Sequence, residues 1–323
     1  MGKLVRAQDR AVYIEFSAKL CNEWLQHERQ QGAAEMTIAT YRRSLDVFTR
    51  WVQENAPGLL VTPAVVQAFK DDLASKYSAQ TVNLRMVACR RFYDWAVIVG
   101  LAPLNPAAPV RGVRRRQSRL HKRDALTASE VRALLDACDI STPAGARDRA
   151  LLGLMAFCGL RQIEIHRLNV GDVKARQGRV TCAVTGKGHN DADAVAIVPK
   201  DEEQHLRRWL AVRFAMGDHS PDAPLFCSLS DRSRGERLSL RAIRHLVKNR
   251  FRALGILEPT KTTHSLRHSA IQAAALGAAR AGRSIRDVQG FSRHASLETV
   301  GVYLAELDRF DRPVEDLITY EGD

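Results

Sequence analysis

Residues 264–303 read HSLRHSAIQAAALGAARAGRSIRDVQGFSRHASLETVGVY. The pattern predicts one helix over about 264–277, a second over 284–291 and a short one running through Tyr303. His264 and His268 stand one helical turn apart with Arg267 between them, and His294 and Tyr303 follow. An i, i+4 histidine pair suits zinc, but the Glu of H-E-x-x-H is missing and no cysteine lies nearby, so no metal site is expected. What the stretch offers is a guanidinium, imidazoles and a phenol.

Upstream of this stretch, Thr127-Ala-Ser-Glu130 has the form of a capping box before Val131, Leu134 and Leu135. A helix over about 147–158 should stop at Gly159. RVTCAV and AVAIVP then read as two strands flanking TGKGHNDADA, a glycine-containing hairpin. Further helices are predicted over about 201–215 and 238–254.

The first hundred residues read as four helices. Ile38, Tyr41, Leu45, Phe48, Trp51 and Val52 recur at three- and four-residue spacing, as do Val12, Phe16, Leu20 and Trp24. TPAVVQAFKDDLASKY has Pro63 near its start, and TVNLRMVACRRFYDWAVIVG closes on Gly100. The Trp and Phe side chains are expected in the core rather than as base-stacking platforms. The fold class is therefore mainly α with a small β-hairpin. A four-helix unit, residues 1–105, precedes a mixed α/β unit, residues 124–310.

Charge locates the partner. The 323 residues carry a formal charge of +13. Residues 1–110 hold 13 basic and 10 acidic side chains, and residues 124–323 hold 29 and 26. The block between them holds seven basic side chains and no acidic one: Arg111, Arg114, Arg115, Arg116, Arg119, Lys122 and Arg123. This basic linker, within 106–123, follows the Pro-containing stretch LAPLNPAAPV and suits a polyphosphate surface. No run of about 18 apolar residues exists, so no membrane span is expected. The start MGKLVRAQDR leads into no apolar signal segment. The six cysteines are scattered without a C-x-x-C, so reduced, mostly buried thiols in the cytoplasm are expected.

Four patterns follow in order: Gly159-Leu160-Arg161-Gln162-Ile163-Glu164, Gly186-Lys187-Gly188, His264-Ser265-Leu266-Arg267-His268, and His294 nine residues before Tyr303. Each alone is weak, and a second H-x-x-R at His205–Arg208 sits in a polar helix. Together, over residues 10–305, they resemble the tyrosine recombinase (phage integrase) family. The four-helix unit is similar to that family's SAM-like core-binding domain, down to Asn105-Pro106 closing it.

The resemblance implies a site-specific DNA recombinase. Tyr303 is the implied nucleophile, rather than Tyr320, forming a 3′-phosphotyrosine. Arg161 and Arg267 would hold the scissile phosphate with forked, permanently charged donors. Lys187 would protonate the leaving 5′ oxygen, His264 would assist proton transfer, and His294 would donate to the phosphate. Glu164 would orient Arg161 or His264. No cofactor, metal or ATP is implied.

Two departures stand out. The hairpin continues His189-Asn190-Asp191-Ala192-Asp193-Ala194, longer than usual and with two acids, which puts the DNA contacts neighbouring Lys187 in doubt. Before His294 many relatives have Leu-Gly, where this chain has Phe291-Ser292-Arg293; an added phosphate contact by Arg293 is the expectation. Further candidate DNA contacts are Arg85 and Arg90 on the helix near 78–96, and Arg241 and Arg244 on that near 238–254.

The implied partner is double-stranded DNA with a short inverted-repeat core site, bound by a tetramer on two sites, or with a related recombinase or accessory DNA-binding protein. The departures favour integration, excision or cointegrate resolution of a mobile element in a bacterial cytoplasm, where DNA would hold the protein at the nucleoid. The alternatives are Xer-type dimer resolution and a catalytically inactive DNA-binding accessory protein. The acidic tail 311–323, with Val314, Leu317 and Ile318 as a small apolar face, is expected to dock on a neighbouring subunit.

Overall fold

Apolar side chains at helical spacing build the first part of the chain into α1 (Ala18–Gln30), α2 (Glu35–Asn55), α3 (Pro63–Lys76) and α4 (Ala79–Ile98). The computed structural model describes residues 18–56, 61–114, 124–186 and 191–293. The chain divides into two compact units, residues 1–117 and 118–323.

Local chemistry sets the helix starts of the first unit. The Thr62 hydroxyl accepts from the Val65 amide with Pro63 in the first turn, and the Ser78 hydroxyl accepts from the Thr81 amide. Trp24, Phe48, Phe69, Phe92 and Tyr93 are fully buried. Trp24 stacks on Tyr41 with ring centres 5.4 Å apart, and Phe48 meets Phe69 edge-on at 4.9 Å. Such ring pairs add about 0.5–1.5 kcal/mol beyond area burial, so these aromatics hold the core together.

The segment after α4 is tied back onto it. The Asn105 amide donates to the Arg90 carbonyl and Asp94, and its oxygen accepts from the Ala107 amide. Asn83 both donates to and accepts from the Val113 main chain, at 2.9 and 2.8 Å. Arg90 donates to the carbonyls of Ala107 (3.3 Å) and Val110 (2.6 Å). Arg90, a candidate DNA contact from the sequence, has a half-buried guanidinium that satisfies carbonyls the irregular strap leaves without a ladder partner.

The second unit contains α5 (Ala128–Asp136), α6 (Pro143–Phe157), α7 (Gln162–Arg167), a 3-10 turn (Val170–Asp172), β1 (Val173–Arg176), β2 (Arg179–Val184), β3 (Ala194–Ile197), α8 (Lys200–Phe214), α9 (Leu240–Ala253), α10 (Thr263–Arg280) and α11 (Ile285–Ser292). The capping box at Thr127 and Glu130 forms in both directions. The strands make an antiparallel sheet in the order β1-β2-β3, with Val173 opposite Cys182 and Thr181 opposite Ile197. Strand β1 and helix α7 are additions to the sequence expectation. β1 is four residues long and mostly exposed, so it carries no alternating pattern. Six residues of α7 are too few to show a helical period.

Helix α6 is the centre of this unit, buried along Gly145–Ala156 except for Arg147. It carries Arg149 into the interior, where two parallel hydrogen bonds of 2.7 and 2.9 Å hold Glu202 of α8. All six cysteines are free and five are buried; burial pushes the Cys89 and Cys182 thiols up to about 12. Among the described residues no helix is long and apolar enough to cross a membrane.

Candidate active site

The site grows from the end of α6. Gly159 adopts φ +59, a left-handed conformation that turns the chain back; a Cβ there would lie 3.4 Å from the Phe291 ring. Two residues on, Arg161 caps α7. Its amide donates to Glu164 Oε2 at 2.7 Å, and its Nη1 donates to Glu164 Oε1 at 2.6 Å. The Arg161 side chain is 25% exposed and that of Glu164 only 1%. Glu164 therefore orients Arg161 from inside the protein.

Burial alone would raise the Glu164 carboxyl. The nearby Arg293 charge, together with Arg161's hydrogen bonds and charge, outweighs burial and holds it below the ordinary carboxylate range.

Arg267 comes from the second turn of α10 and is buried. It donates to the carbonyls of Gly159 and Ser292, bridging the end of α6 to the end of α11. His264 lies three residues earlier and shares its helix face. It is exposed, and its amide donates to the Thr262 cap. Arg161, Glu164 and Arg267 are thus gathered around the Gly159 turn, with the exposed His264 one helical turn before Arg267.

Gln162 stands in the first motif with no role expected of it. Its side chain donates to the Leu240 carbonyl and accepts from the Thr263 hydroxyl at 3.4 Å, joining α7 to the starts of α9 and α10. Only the tertiary structure identifies it, because its partners lie 78 and 101 residues away.

Arg293, expected at a phosphate, has partners within the fold. Its side chain is 11% exposed and turns inward. It donates to the carbonyls of Cys158 (3.3 Å), Phe291 (3.1 Å) and Gly159 (3.0 Å), and to Glu164 at 3.2 Å. These acceptors take up the Arg293 guanidinium within the fold.

One of the two acids of the β2–β3 hairpin also acquires a use. The Asp193 carboxylate accepts from the Gly186 amide at 2.7 Å, while Arg167 donates to the Gly186 carbonyl at 2.7 Å. Gly186 is held on both sides immediately before Lys187. Lys187, His294, Tyr303, Arg115, Arg116 and the tail 311–323 lie outside the described residues.

Several cations face solvent. Arg241, Arg244, Lys248 and Arg252 form an exposed stripe on α9, whose other face buries Ile243, Val247 and Phe251. Arg111 and Arg114 are exposed in the strap. Arg85 lies over the Tyr77 ring at 4.1 Å and lines a groove of about 430 Å³ with Arg43, Arg50 and Asp46. Among the described residues no three His, Cys, Asp or Glu side chains cluster as metal ligands.

Comparison with known proteins gives the same outline. Residues 124–309 match the phage integrase family, and residues 21–99 match the phage integrase N-terminal SAM-like domain. The chain is 34% identical over 285 residues to tyrosine recombinase XerD of Xanthomonas axonopodis pv. citri (strain 306), covering 85% of this chain and 88% of that one. The fold is that of a XerH site-specific recombinase bound to palindromic difH substrate in a post-cleavage complex (TM-score 0.70, 20% identity, 93% of this chain and 85% of that one). It is also that of a lambda integrase tetramer bound to a Holliday junction (TM-score 0.65, 15% identity, 92% and 79%).

Proposed function

The chain belongs to the phage integrase family, and on that premise we propose how its residues carry out recombination. It is a tyrosine site-specific recombinase, an enzyme that breaks and rejoins DNA. In the proposed reaction, the Tyr303 oxygen attacks the scissile phosphorus and forms a phosphodiester with the 3′ end. The bond to the 5′ oxygen breaks, and Lys187 gives that oxygen its proton. His264 assists removal of the Tyr303 proton. Arg161 and Arg267 stabilise the charge on the non-bridging oxygens, with His294 as a further donor.

One observation carries this reading: the continuous set of contacts from Arg161 through Glu164, Arg293 and the Gly159 carbonyl to Arg267, with His264 one turn away. It holds two guanidinium groups in fixed relation before substrate arrives, which is what preorganised stabilisation of a phosphoryl transition state requires. The phosphotyrosine keeps the energy of the broken ester, so a 5′ hydroxyl from a second duplex reverses the step without ATP. The two guanidinium groups supply the positive charge, so no divalent metal is invoked.

Exchange of strands in pairs leads through a Holliday junction on two inverted-repeat sites held by four subunits. A lambda integrase of the same fold is known as a tetramer bound to a Holliday junction. The exposed α9 stripe and the basic segment from Arg111 are the proposed duplex contacts, and the tail 311–323 the proposed contact between subunits.

The hairpin sequence and Arg293 support a mobile-element role, in integration, excision or cointegrate resolution. A second reading, dimer resolution of the Xer kind, is favoured by the 34% identity to a XerD recombinase. Supercoiled DNA from around the protein's own gene, incubated in EDTA and trapped with SDS, tests both. A 3′-linked protein adduct, present in wild type and absent in Tyr303→Phe, establishes the reaction. Cleavage within that DNA supports the mobile-element role, and cleavage only of a second plasmid that carries a chromosomal dimer-resolution site supports dimer resolution. Salt-sensitive binding of both DNAs with no adduct on either counts against the reaction.

A further inference from the structure

Among the described residues, only Gln177 and Arg293 combine a side chain with positive φ. Arg293 follows the last residue of α11 with φ 53 and ψ 39, the left-handed position where helices favour glycine or asparagine. An L side chain there carries a backbone cost that glycine does not. Backbone requirements alone would select glycine.

The side chain offsets that cost through what it touches. Its guanidinium reaches the carbonyls of Cys158, Gly159 and Phe291, so it ties the turn after α6 to the end of α11. It also brings a second cation to Glu164, whose side chain is 1% exposed and already holds Arg161 by two bonds. A buried carboxylate stays ionised and oriented only when its desolvation is compensated. Arg161, at 25% exposure, supplies that compensation partly through solvent, and Arg293, at 11%, supplies it from inside.

We propose that Arg293 is a positioning residue for DNA cleavage: it fixes Glu164, and through it Arg161, and locks the Gly159 turn against the segment that runs on to His294. The proposal rests on the reading of Arg161 as a phosphate contact. It assigns to the chain's departure from glycine a role in geometry rather than in DNA binding.

Substituting Arg293→Gly separates backbone from side chain, because it relieves φ while deleting the guanidinium. Cleavage of a nicked suicide duplex should fall about 10- to 100-fold, the range for small misplacement of a catalytic group. Duplex affinity should stay within about twofold. Arg293→Lys should recover part of the rate, since it returns the charge without the fork.

The acid limb of the cleavage profile supplies a readout that a purely structural role would not move. The charged groups set around Glu164 are Arg161 on its own element and Arg293 at the end of α11; Arg267 of α10 shares the Gly159 carbonyl with Arg293. Deleting Arg293 should move that limb to higher pH. Wild-type cleavage in Arg293→Gly, or loss of binding in step with cleavage, would overturn the proposal.

A second measurement needs no DNA. In a double-mutant cycle, the urea midpoint losses of Arg293→Gly and Glu164→Gln should not add, because the two share one interaction. Additive losses would overturn the proposal even if cleavage could not be measured. Absence of a Tyr303-dependent adduct in wild type, with coupling intact, would instead overturn the functional reading alone.

Discussion

Arg267 of α10 donates a hydrogen bond to the main-chain carbonyl of Ser292, the last residue of α11. The same guanidinium donates to the Gly159 carbonyl, which Arg293 also reaches, so one side chain joins two helix ends. The residue proposed to meet the phosphate is also the brace that sets the start of the segment leading to His294 and Tyr303.

Arg267→Lys tests that double use. An ammonium is a point donor and does not reproduce the fork that spans both carbonyls. Cleavage should fall at least about 100-fold, with a melting temperature lower by a few degrees. Affinity for the duplex should change little, since the charge is kept and only one of many proposed phosphate contacts is altered. Suicide-substrate cleavage and calorimetry on one preparation measure both; unchanged melting would mean that the brace carries no load.

The Glu164 carboxyl titrates lower in the folded chain than in the unfolded one, because Arg293 and Arg161 outweigh its burial. Its stabilising effect is therefore complete above the unfolded value of about 4.3 and is lost as pH falls through the folded value. The urea midpoint of wild type should drop more steeply below about pH 4.3 than that of Glu164→Gln. Parallel curves would show that the carboxylate is not held in this way.

Gly153 in α6 lies against the buried pair of Arg149 and Glu202. A Cβ there would stand 2.2 Å from Glu202 Oε2 and 2.8 Å from Arg149 Nη1. Glycine to alanine inside a helix ordinarily gains about 1 kcal/mol. Breaking a buried ion pair costs about 3–5 kcal/mol. The larger effect decides the sign, so Gly153→Ala should lower the melting temperature by several degrees. A rise would mean that the pair yields without cost.

Cations on the surface and in the fold should behave oppositely. Arg241→Ala, Arg244→Ala and Lys248→Ala should each weaken duplex binding and reduce the salt slope by about one for each phosphate no longer neutralised, leaving melting unchanged. Arg90→Ala should do the reverse, because its guanidinium holds the Ala107 and Val110 carbonyls. Fluorescence anisotropy across a salt series separates the two classes. A reduced slope for Arg90→Ala would return that residue to the interface.

Asp193→Ala deletes the carboxylate that accepts from the Gly186 amide. Only one of the two hydrogen bonds that hold the residue before Lys187 then remains, the one from Arg167. Cleavage should slow about 10-fold with binding intact. A gain in binding with no loss of rate would instead show that the acid acts by repelling DNA.

The order Arg161, Lys187, His264-x-x-Arg267, His294, Tyr303 was legible in the chain because each group keeps a fixed spacing within a local motif. The helices were legible for a similar reason: Thr62, Ser78 and Thr127 cap them with side chains next in sequence, and the apolar period predicts which face is buried. β1 and α7 were not, since four and six residues carry too little pattern.

By itself the sequence determined the family, the helical plan, the linker's charge and the candidates for the reacting groups, all of them read from short local patterns. The tertiary structure decided which cations the fold uses for itself. Arg90 and Arg293 read as surface charges until the carbonyls of Ala107, Val110, Cys158 and Gly159 are seen to claim them. It also decided that Gln162 joins three helices and that Glu164 is held by cations from two. The physical reason is that a buried carbonyl or carboxylate must find a partner wherever the fold brings one, and Arg293 reaches the Glu164 carboxylate across 129 residues of chain.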